Sequence, residues 1–444
     1  MPSALRLPGG LGRRLAGMDR HQRDSLLTAG SQLFVYGLSV LTGPMLARAL
    51  DAEGRGDLAA VLVGTQLFGW LATFGIPAAT AYHATTMNRR ELNMSAWFFS
   101  LLVGLPVVAV IWPFVPRYLN DHDPATVIWF RLFLLAALTI LPQYSCLNYV
   151  NGRGDNVRFN ALRHLALLSN SLVIMVLFLT DRLNLISALQ ASFFSNLGAA
   201  AVTFTFAWGW PSRGFSWSAF RKQLDYGWRV ALGSVAQMMV GRLDQIVMVG
   251  LVASEQLGLY AVAVTAAGVS GALAVGMGLA VFPHIRDAPD HAARRATLRR
   301  GLRWMSVCSI GMATTIGLSA GFVIPLLFGK SFRGSLNPLY VLLPGQVCFD
   351  LANVIGQALQ AEGRPGTSSR ALTLAAVITA TTITLAVGRY GLVGAALVTT
   401  TSQAAYLVYV SLAIRRPPRS HQAGPTPNSA SGPAMDEAAS PTPV

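Results

Sequence analysis

Charged residues are scarce in this chain. Only 12% of its 444 residues are Asp, Glu, Lys or Arg, whereas soluble domains carry about 25%. Hydrophobic residues make up 53% and the mean hydropathy is +0.48. Apolar runs of about 20 residues, each long enough to cross a bilayer, recur along the chain. The composition therefore excludes an ordinary soluble enzyme and predicts an all-α polytopic membrane protein.

Residues that support covalent or metal chemistry are also few. The three cysteines, Cys146, Cys308 and Cys348, are dispersed within or beside apolar runs and lack the spacing of metal ligands. No nucleophile motif, Walker loop or glycine-rich dinucleotide turn stands out, so we expect no cofactor and no enzymatic activity. The outer loops are short, which argues against a membrane polymerase or glycosyltransferase with its catalytic site in a large loop.

Acidic residues are outnumbered by basic ones, 19 against 34, and the net charge is +15. The basic residues lie in short loops between apolar runs, a pattern that orients membrane proteins. We therefore expect no nucleic-acid partner. A cytoplasmic N-terminus would put 25 of the 34 Lys and Arg on the cytoplasmic side. The predicted location is the inner (cytoplasmic) membrane, with multiple passes and both termini cytoplasmic.

Hydropathy divides the chain into two groups of six spans. The predicted domains are a cytoplasmic N-terminal segment (1–25), a six-helix lobe (26–210), an interfacial amphipathic linker (211–229), a second six-helix lobe (230–414) and a disordered cytoplasmic tail (415–444). The twelve predicted spans are 26–47, 58–82, 94–115, 126–150, 161–180, 185–208, 230–252, 259–282, 303–328, 339–360, 371–387 and 392–414.

The loop after the first span resembles the loop after the seventh. At a constant offset of 202 residues, Glu53 matches Glu255, Gly56 matches Gly258 and Ala59 matches Ala261. Both loops lie on the same predicted side, so the two groups of spans are predicted to be parallel repeats related by an axis along the membrane normal. Two such bundles form a transporter in which access alternates as they rock.

Several motifs occur in corresponding parts of the two halves. They are the run from Arg242 to Gln245, then Glu255, the run from Leu257 to Ala263, and Phe282-Pro283, together with the stretch from Ala47 to Gly56 and Gly75-Ile76-Pro77 in the first half. These motifs resemble those of bacterial oligosaccharide flippases in the multidrug/oligosaccharidyl-lipid/polysaccharide exporter superfamily. The resemblance covers most of residues 26–414. It implies a V-shaped pair of six-helix lobes around a central cavity. The related lipid II flippases commonly carry fourteen spans, and this chain has twelve.

The resemblance implies an exporter of a polyprenyl-pyrophosphate-linked oligosaccharide for cell-surface polysaccharide assembly. The expected partners are that lipid-linked substrate, membrane lipids, and a glycan polymerase or glycosyltransferase. A pyrophosphate head needs a hydrated, cationic path, and arginine suits it because the planar guanidinium can bind two oxygens at once. The alternative is an ion-coupled multidrug or cation antiporter on the same scaffold. A transporter of the major facilitator type is disfavoured because the loop between spans 2 and 3 lacks a glycine.

Ionisable residues inside apolar spans are the candidate substrate contacts. Arg242 is the first of them, with Asp244 either orienting it or reporting ion coupling. A structural role for this pair remains open. Asp350, Asn353 and Gln357 form a polar stripe that predicts either cavity lining or hydrogen bonds between helices. Arg131 is a further candidate, with anchoring at the interface as its alternative.

Overall fold

The computed structural model describes residues 20–120, 122–207, 214–271, 291–362 and 364–415. These residues form helices joined by short turns. In the first half the helices are α1 (Arg20–Thr73), α2 (Ile76–His83), α3 (Arg89–Phe99), α4 (Leu105–Ile111), α5 (Val115–Tyr118), α6 (Pro124–Ala137), α7 (Ile140–Gly152), α8 (Asn156–Leu179) and α9 (Leu185–Phe206). A π-helical turn (Ser100–Gly104) and a 3₁₀ turn (Trp112–Phe114) connect α3, α4 and α5.

The second half contains five further helices. They are α10 (Trp217–Val249), α11 (Ser254–Ala267), α12 (His291–Phe328), α13 (Leu336–Ala361) and α14 (Pro365–Arg415), with 3₁₀ turns at Gly268–Ser270 and Lys330–Ser335. We call α1–α9 the N half and α10–α14 the C half. Within the described residues, six helices are long and apolar enough to cross a membrane, or seven when the bent pair α6–α7 counts as one span.

Two of the longest helices are broken where the sequence predicts a loop. In α1 the backbone leaves helical geometry at Asp51, with φ 55°, between predicted spans 1 and 2. In α14 it does so at Gly391, with φ 56°, between predicted spans 11 and 12. The described parts of the twelve predicted spans are mostly helical, with turns inside them at Phe74–Gly75, Leu138–Thr139 and Gly250–Leu251. The all-α prediction is confirmed. The second part of span 8, the first residues of the chain and its tail lie outside the described residues.

The predicted linker is helical from Trp217 and continues into predicted span 7 as the single helix α10. Its first turns are held in the N half. Phe220 is buried in a cluster with Ile76 and Phe99, and the Gln223 amide donates to the Thr80 hydroxyl at 2.9 Å. Beyond these turns, α10 packs against α14 of the C half. One helix thus connects the cores of both halves, while the exact division of the chain into domains stays a prediction.

Polar and aromatic contacts also surround the start of α10. The rings of Tyr82 and Tyr226 stack with centroids 4.5 Å apart. Burial, followed by the nearby positive charge of Lys222, lowers the pKa of His83 below its usual value. The ring of His83 meets Tyr226 edge-on. These contacts show that residues 222–226 pack closely on the end of α2.

We expect Phe220→Ala to lower the free energy of unfolding by about 3–5 kcal/mol, because it empties a buried ring site between the two halves. Thermal unfolding of the purified protein in detergent measures this loss. The matched control is Phe206→Ala, since Phe206 is 56% exposed and its removal leaves no internal cavity. Equal losses for the two variants would mean that the start of α10 is not anchored in the N half.

Candidate functional site

The two halves meet at the segments that the sequence repeat relates. A Cβ atom added to Gly56 would overlap the carbonyl oxygen of Ser254, and one added to Gly258 would overlap the carbonyl oxygen of Ala52. Ala52 and Ser254 are themselves 202 residues apart, as are Gly56 and Gly258. The contact is therefore reciprocal, as expected of two equivalent surfaces facing each other across a two-fold axis. The geometry supports the two-repeat architecture independently of residue identities.

A buried polar cluster lies beside these glycines. The ring of His122 is 2.6 Å from the Asp57 carboxylate through Nδ1 and 3.3 Å from the Val249 carbonyl oxygen through Nε2. The Ser254 hydroxyl donates to the same carboxylate oxygen of Asp57 at 2.7 Å. Asp57 and His122 belong to the N half, whereas Val249 and Ser254 belong to the C half. The cluster therefore joins the halves through hydrogen bonds.

Further hydrogen bonds link the halves in the same region. The Tyr118 hydroxyl donates to the Ile246 carbonyl at 2.6 Å. Arg48 donates through Nε to the Leu327 carbonyl at 2.9 Å and through Nη2 to the Leu326 carbonyl. We call this region the closed end, defined by residues 52–57, Tyr118, His122 and residues 246–258. In the predicted orientation it faces the outer side of the membrane.

Two arginines, one from each half, lie in or beside the closed end: Arg55 is within residues 52–57, and Arg242 precedes residue 246 by about one helical turn. Arg242 on α10 is exposed and donates to the Gln245 side-chain oxygen at 3.5 Å. Arg55 on α1 lies within electrostatic range of Arg242. The Nε atom of Arg55 is buried without a hydrogen-bond partner. Within the described part of the chain, neither guanidinium forms an ion pair. The two side chains therefore place positive charge from both halves in this region.

Asp244 lies two residues from Arg242 but its carboxylate is directed into the C half. It is buried and accepts hydrogen bonds from the Tyr260 hydroxyl at 2.6 Å and the Thr399 hydroxyl at 2.9 Å. The backbone N–H of Gln245 donates to the other carboxylate oxygen of Asp244 at 2.8 Å. Asp244 thus joins α10 to α11 and α14. The structure does not bring its carboxylate to Arg242.

Asp350 is the centre of a second buried network. It accepts from the hydroxyls of Ser270 at 2.8 Å and Ser309 at 2.7 Å, and from the side-chain amide of Gln346 at 2.8 Å. The two serines lie on different elements from Asp350, so the carboxylate joins three segments of the C half. Of the two alternatives for the polar stripe, hydrogen bonding between helices fits Asp350.

Asn353, Gln357 and Arg131 are the remaining predicted residues. Asn353 and Gln357 are half-buried further along α13. Arg131 stays in the N half, where its guanidinium donates to the Trp112 carbonyl at 3.4 Å and lies 5.1 Å from the centre of the Trp112 ring. The structure therefore assigns Arg131 contacts that suit an anchor. These site residues stay predictions as substrate contacts.

Sequence reasoning missed Arg55 and His122. Arg55 falls in the loop between predicted spans 1 and 2, directly before the repeated Gly56 and a long apolar run, which was the available signal. Nothing local in the sequence connects His122 with Asp57, because the two are 65 residues apart. Tyr260 was noted as part of a motif, and its hydrogen bond to Asp244 depends on the packing of α11 against α10.

Comparisons with known proteins agree with this architecture. The family model described as "Polysaccharide biosynthesis protein" matches residues 22–288. A putative O-antigen transporter from Shigella flexneri is 22% identical over 184 residues, which are 41% of this chain and 44% of the relative. The matched region therefore spans less than half the length of that curated relative.

Solved structures share the fold over most of the chain. An inward-facing multidrug resistance transporter of the MATE family is 15% identical, with a TM-score of 0.69 over 86% of this chain and 94% of that one. The lipid II flippase MurJ in an inward closed conformation is 12% identical, with a TM-score of 0.71 over 88% of each chain. At these identities the likeness establishes the fold of a multi-pass membrane transporter and nothing finer.

Proposed function

The chain belongs to the polysaccharide biosynthesis protein family, and from this premise we propose that it flips a polyprenyl-pyrophosphate-linked oligosaccharide across the cytoplasmic membrane. The pair Arg55 and Arg242 supports it, since one guanidinium from each half lies within electrostatic range of the other. Both termini would lie in the cytoplasm, and a glycan polymerase or glycosyltransferase would supply or consume the glycan.

The charge of the cargo explains why such a pair is useful. A pyrophosphate cannot enter hydrocarbon without losing its hydration, so it needs protein groups that replace water. Guanidinium groups do so through paired N–H donors that match phosphate oxygens. Two like charges close together in a site of low polarity also repel each other. A bound anion relieves that repulsion, which adds to its affinity.

The position of the pair between the halves suits alternating access. Arg55 and Arg242 move relative to each other whenever the halves rock. An anion bound by both arginines would therefore be held tightly in one conformation of the halves and released in the other. The polyprenyl tail stays in the bilayer and follows the head group through a lateral opening between the halves.

We expect Arg242→Ala and Arg55→Ala each to lower the rate of flipping about 10- to 150-fold, since a hydrogen bond to a charged group contributes about 1.5–3 kcal/mol. The assay uses proteoliposomes with a fluorescent polyprenyl-pyrophosphate oligosaccharide and follows its accessibility to an external glycosidase. Arg242→Lys should retain part of the rate because it keeps charge but not the planar fork.

The matched control is Arg229→Ala, because Arg229 is an exposed arginine of the same helix that pairs with Asp225 at 3.0 Å. It should leave the rate unchanged. Flipping that survives both alanine variants would keep the function and make the arginines structural. Absence of flipping by the wild type, together with gradient-driven export of a cationic dye, would favour the antiporter alternative. Arg55 and Arg242 form no ion pair with any residue that the structure describes, so their charge repels cationic cargo and argues against that alternative.

A further inference from the structure

His122 presents both ring nitrogens to hydrogen-bond acceptors. Nδ1 faces the Asp57 carboxylate at 2.6 Å and Nε2 faces the Val249 carbonyl oxygen at 3.3 Å. A neutral imidazole carries one N–H and can donate from only one nitrogen, whereas the imidazolium donates from both. The closed end therefore accommodates the protonated ring best. The Ser254 hydroxyl, which donates to Asp57, leaves its lone pairs directed towards Nδ1 at 2.9 Å.

We propose that His122 is a proton-binding site whose occupancy stabilises the closed end against opening. Its acceptors come from both halves, since Asp57 lies on α1 and Val249 at the end of α10. When the halves separate, His122 loses the Val249 carbonyl and Asp57 loses the Ser254 hydroxyl. The open form therefore binds the proton less tightly than the closed form. By thermodynamic linkage, protonation of His122 raises the closing equilibrium constant by the same factor by which closure raises the proton affinity of His122.

The charges around His122 make this assignment specific. Within the described residues, the charged group in contact with the His122 ring is the Asp57 carboxylate. The other two contacts are uncharged: the Val249 carbonyl on α10 and the Ser254 hydroxyl on α11. On the connection that carries His122, the Asp123 carboxylate is turned away to cap α6, where it accepts from the Ala125 amide at 2.7 Å.

The nearest acidic residues of the repeat loops do not share the pocket. Glu53 on α1 and Glu255 on α11 are both exposed. Arg55, on the same helix as Asp57, lies within electrostatic range of Arg242. Closure of the halves around His122 involves no cargo, so its pH response can be measured independently of flipping.

The test measures how far the closed end opens as a function of pH. Spin labels at Glu53→Cys and Glu255→Cys, in the full chain with its three native cysteines replaced, report the distance between the halves by pulsed electron resonance in liposomes. The pH is varied from about 5.5 to about 8.5, a range that brackets ordinary histidine titration. We expect the open fraction to rise with pH, by up to about tenfold per pH unit for a single coupled proton.

The response should vanish in His122→Gln and persist in the control His164→Gln, since His164 is a buried histidine of α8 that contacts Ser31 away from the closed end. Asp57→Asn, which removes the carboxylate and keeps an acceptor, should move the response to lower pH. It provides a second variant should His122→Gln fail to fold.

Three results would overturn the proposal. They are a wild type whose distance distribution ignores pH, a pH response that persists in His122→Gln, and an Asp57→Asn variant with an unchanged pH midpoint. Changing the pH on one side of the liposome at a time adds a further criterion. The response must follow the compartment that the closed end faces.

Discussion

Gly258→Val is expected to shift the equilibrium away from the closed end by more than about a hundredfold. The first carbon of any side chain at this position overlaps the Ala52 carbonyl oxygen. That atom belongs to the backbone, so it cannot turn aside as a flexible side chain could. Overpacking costs about 1–3 kcal/mol where neighbours adjust, and more where they cannot. The halves must then separate, and a transporter that cannot close one end cannot complete its cycle.

The repeat supplies an internal check on this expectation. Gly56→Val should have the same effect, because the Gly56 contact with Ser254 is the counterpart of the first one. The control is Gly311→Val on α12, where no atom lies within 4 Å of the added Cβ. The distance between labels at positions 53 and 255 and the flipping rate are the two measurements. Normal closure in the Gly258 variant would contradict the observed close approach.

Asp350→Ala is expected to destabilise the protein by about 3 kcal/mol or more. The substitution leaves the donors of Ser270, Ser309 and Gln346 without their acceptor, and each buried unsatisfied group costs about 1–3 kcal/mol. Asp350→Asn keeps one acceptor oxygen and should lose less. Thermal unfolding in detergent ranks the variants.

The control for Asp350 is Asp225→Ala, which removes an exposed carboxylate paired with Arg229. Exposed pairs contribute about 0–1 kcal/mol, so this variant should unfold near the wild-type temperature. A similar small loss for Asp350→Ala would mean that the three donors find other partners. In that case the carboxylate would not hold these segments of the C half together.

The helices could be predicted from the sequence to a large extent, because spanning hydrocarbon requires long apolar helices. The breaks at Asp51 and Gly391 fall between predicted spans for the same reason. Hydropathy could not reveal that residues 217–229 continue into span 7 as one helix. The hydropathy of residues 217–229 is lowered by Arg221, Lys222 and Asp225. A helix can continue through such polar residues, because its backbone hydrogen bonds do not depend on hydropathy.

The candidate site was less accessible to sequence reasoning. The spacing of Arg242 and Asp244 correctly indicates different helix faces, but the partners of Asp244 come from positions 260 and 399. The offset of 202 identified Gly56 and Gly258 as equivalent. The sequence offset could not show that Gly56 and Gly258 lie next to the two-fold axis that relates the halves. Only at that axis do equivalent residues of the two halves come into contact. Contacts between distant segments arise only when the halves are packed.

The continuity of α10 has a mechanical consequence. Phe220 in its first turns is buried in a cluster with Ile76 and Phe99 of the N half, while its later turns pack against α14 of the C half. At about 1.5 Å per residue, its 33 residues form a strut about 50 Å long. The halves cannot slide past each other without bending this strut. Gly241, whose added Cβ would meet no atom within 4 Å, lies in its second part, and glycines are common sites of helix bending. The stiffness of one helix thus sets part of the elastic resistance to rocking.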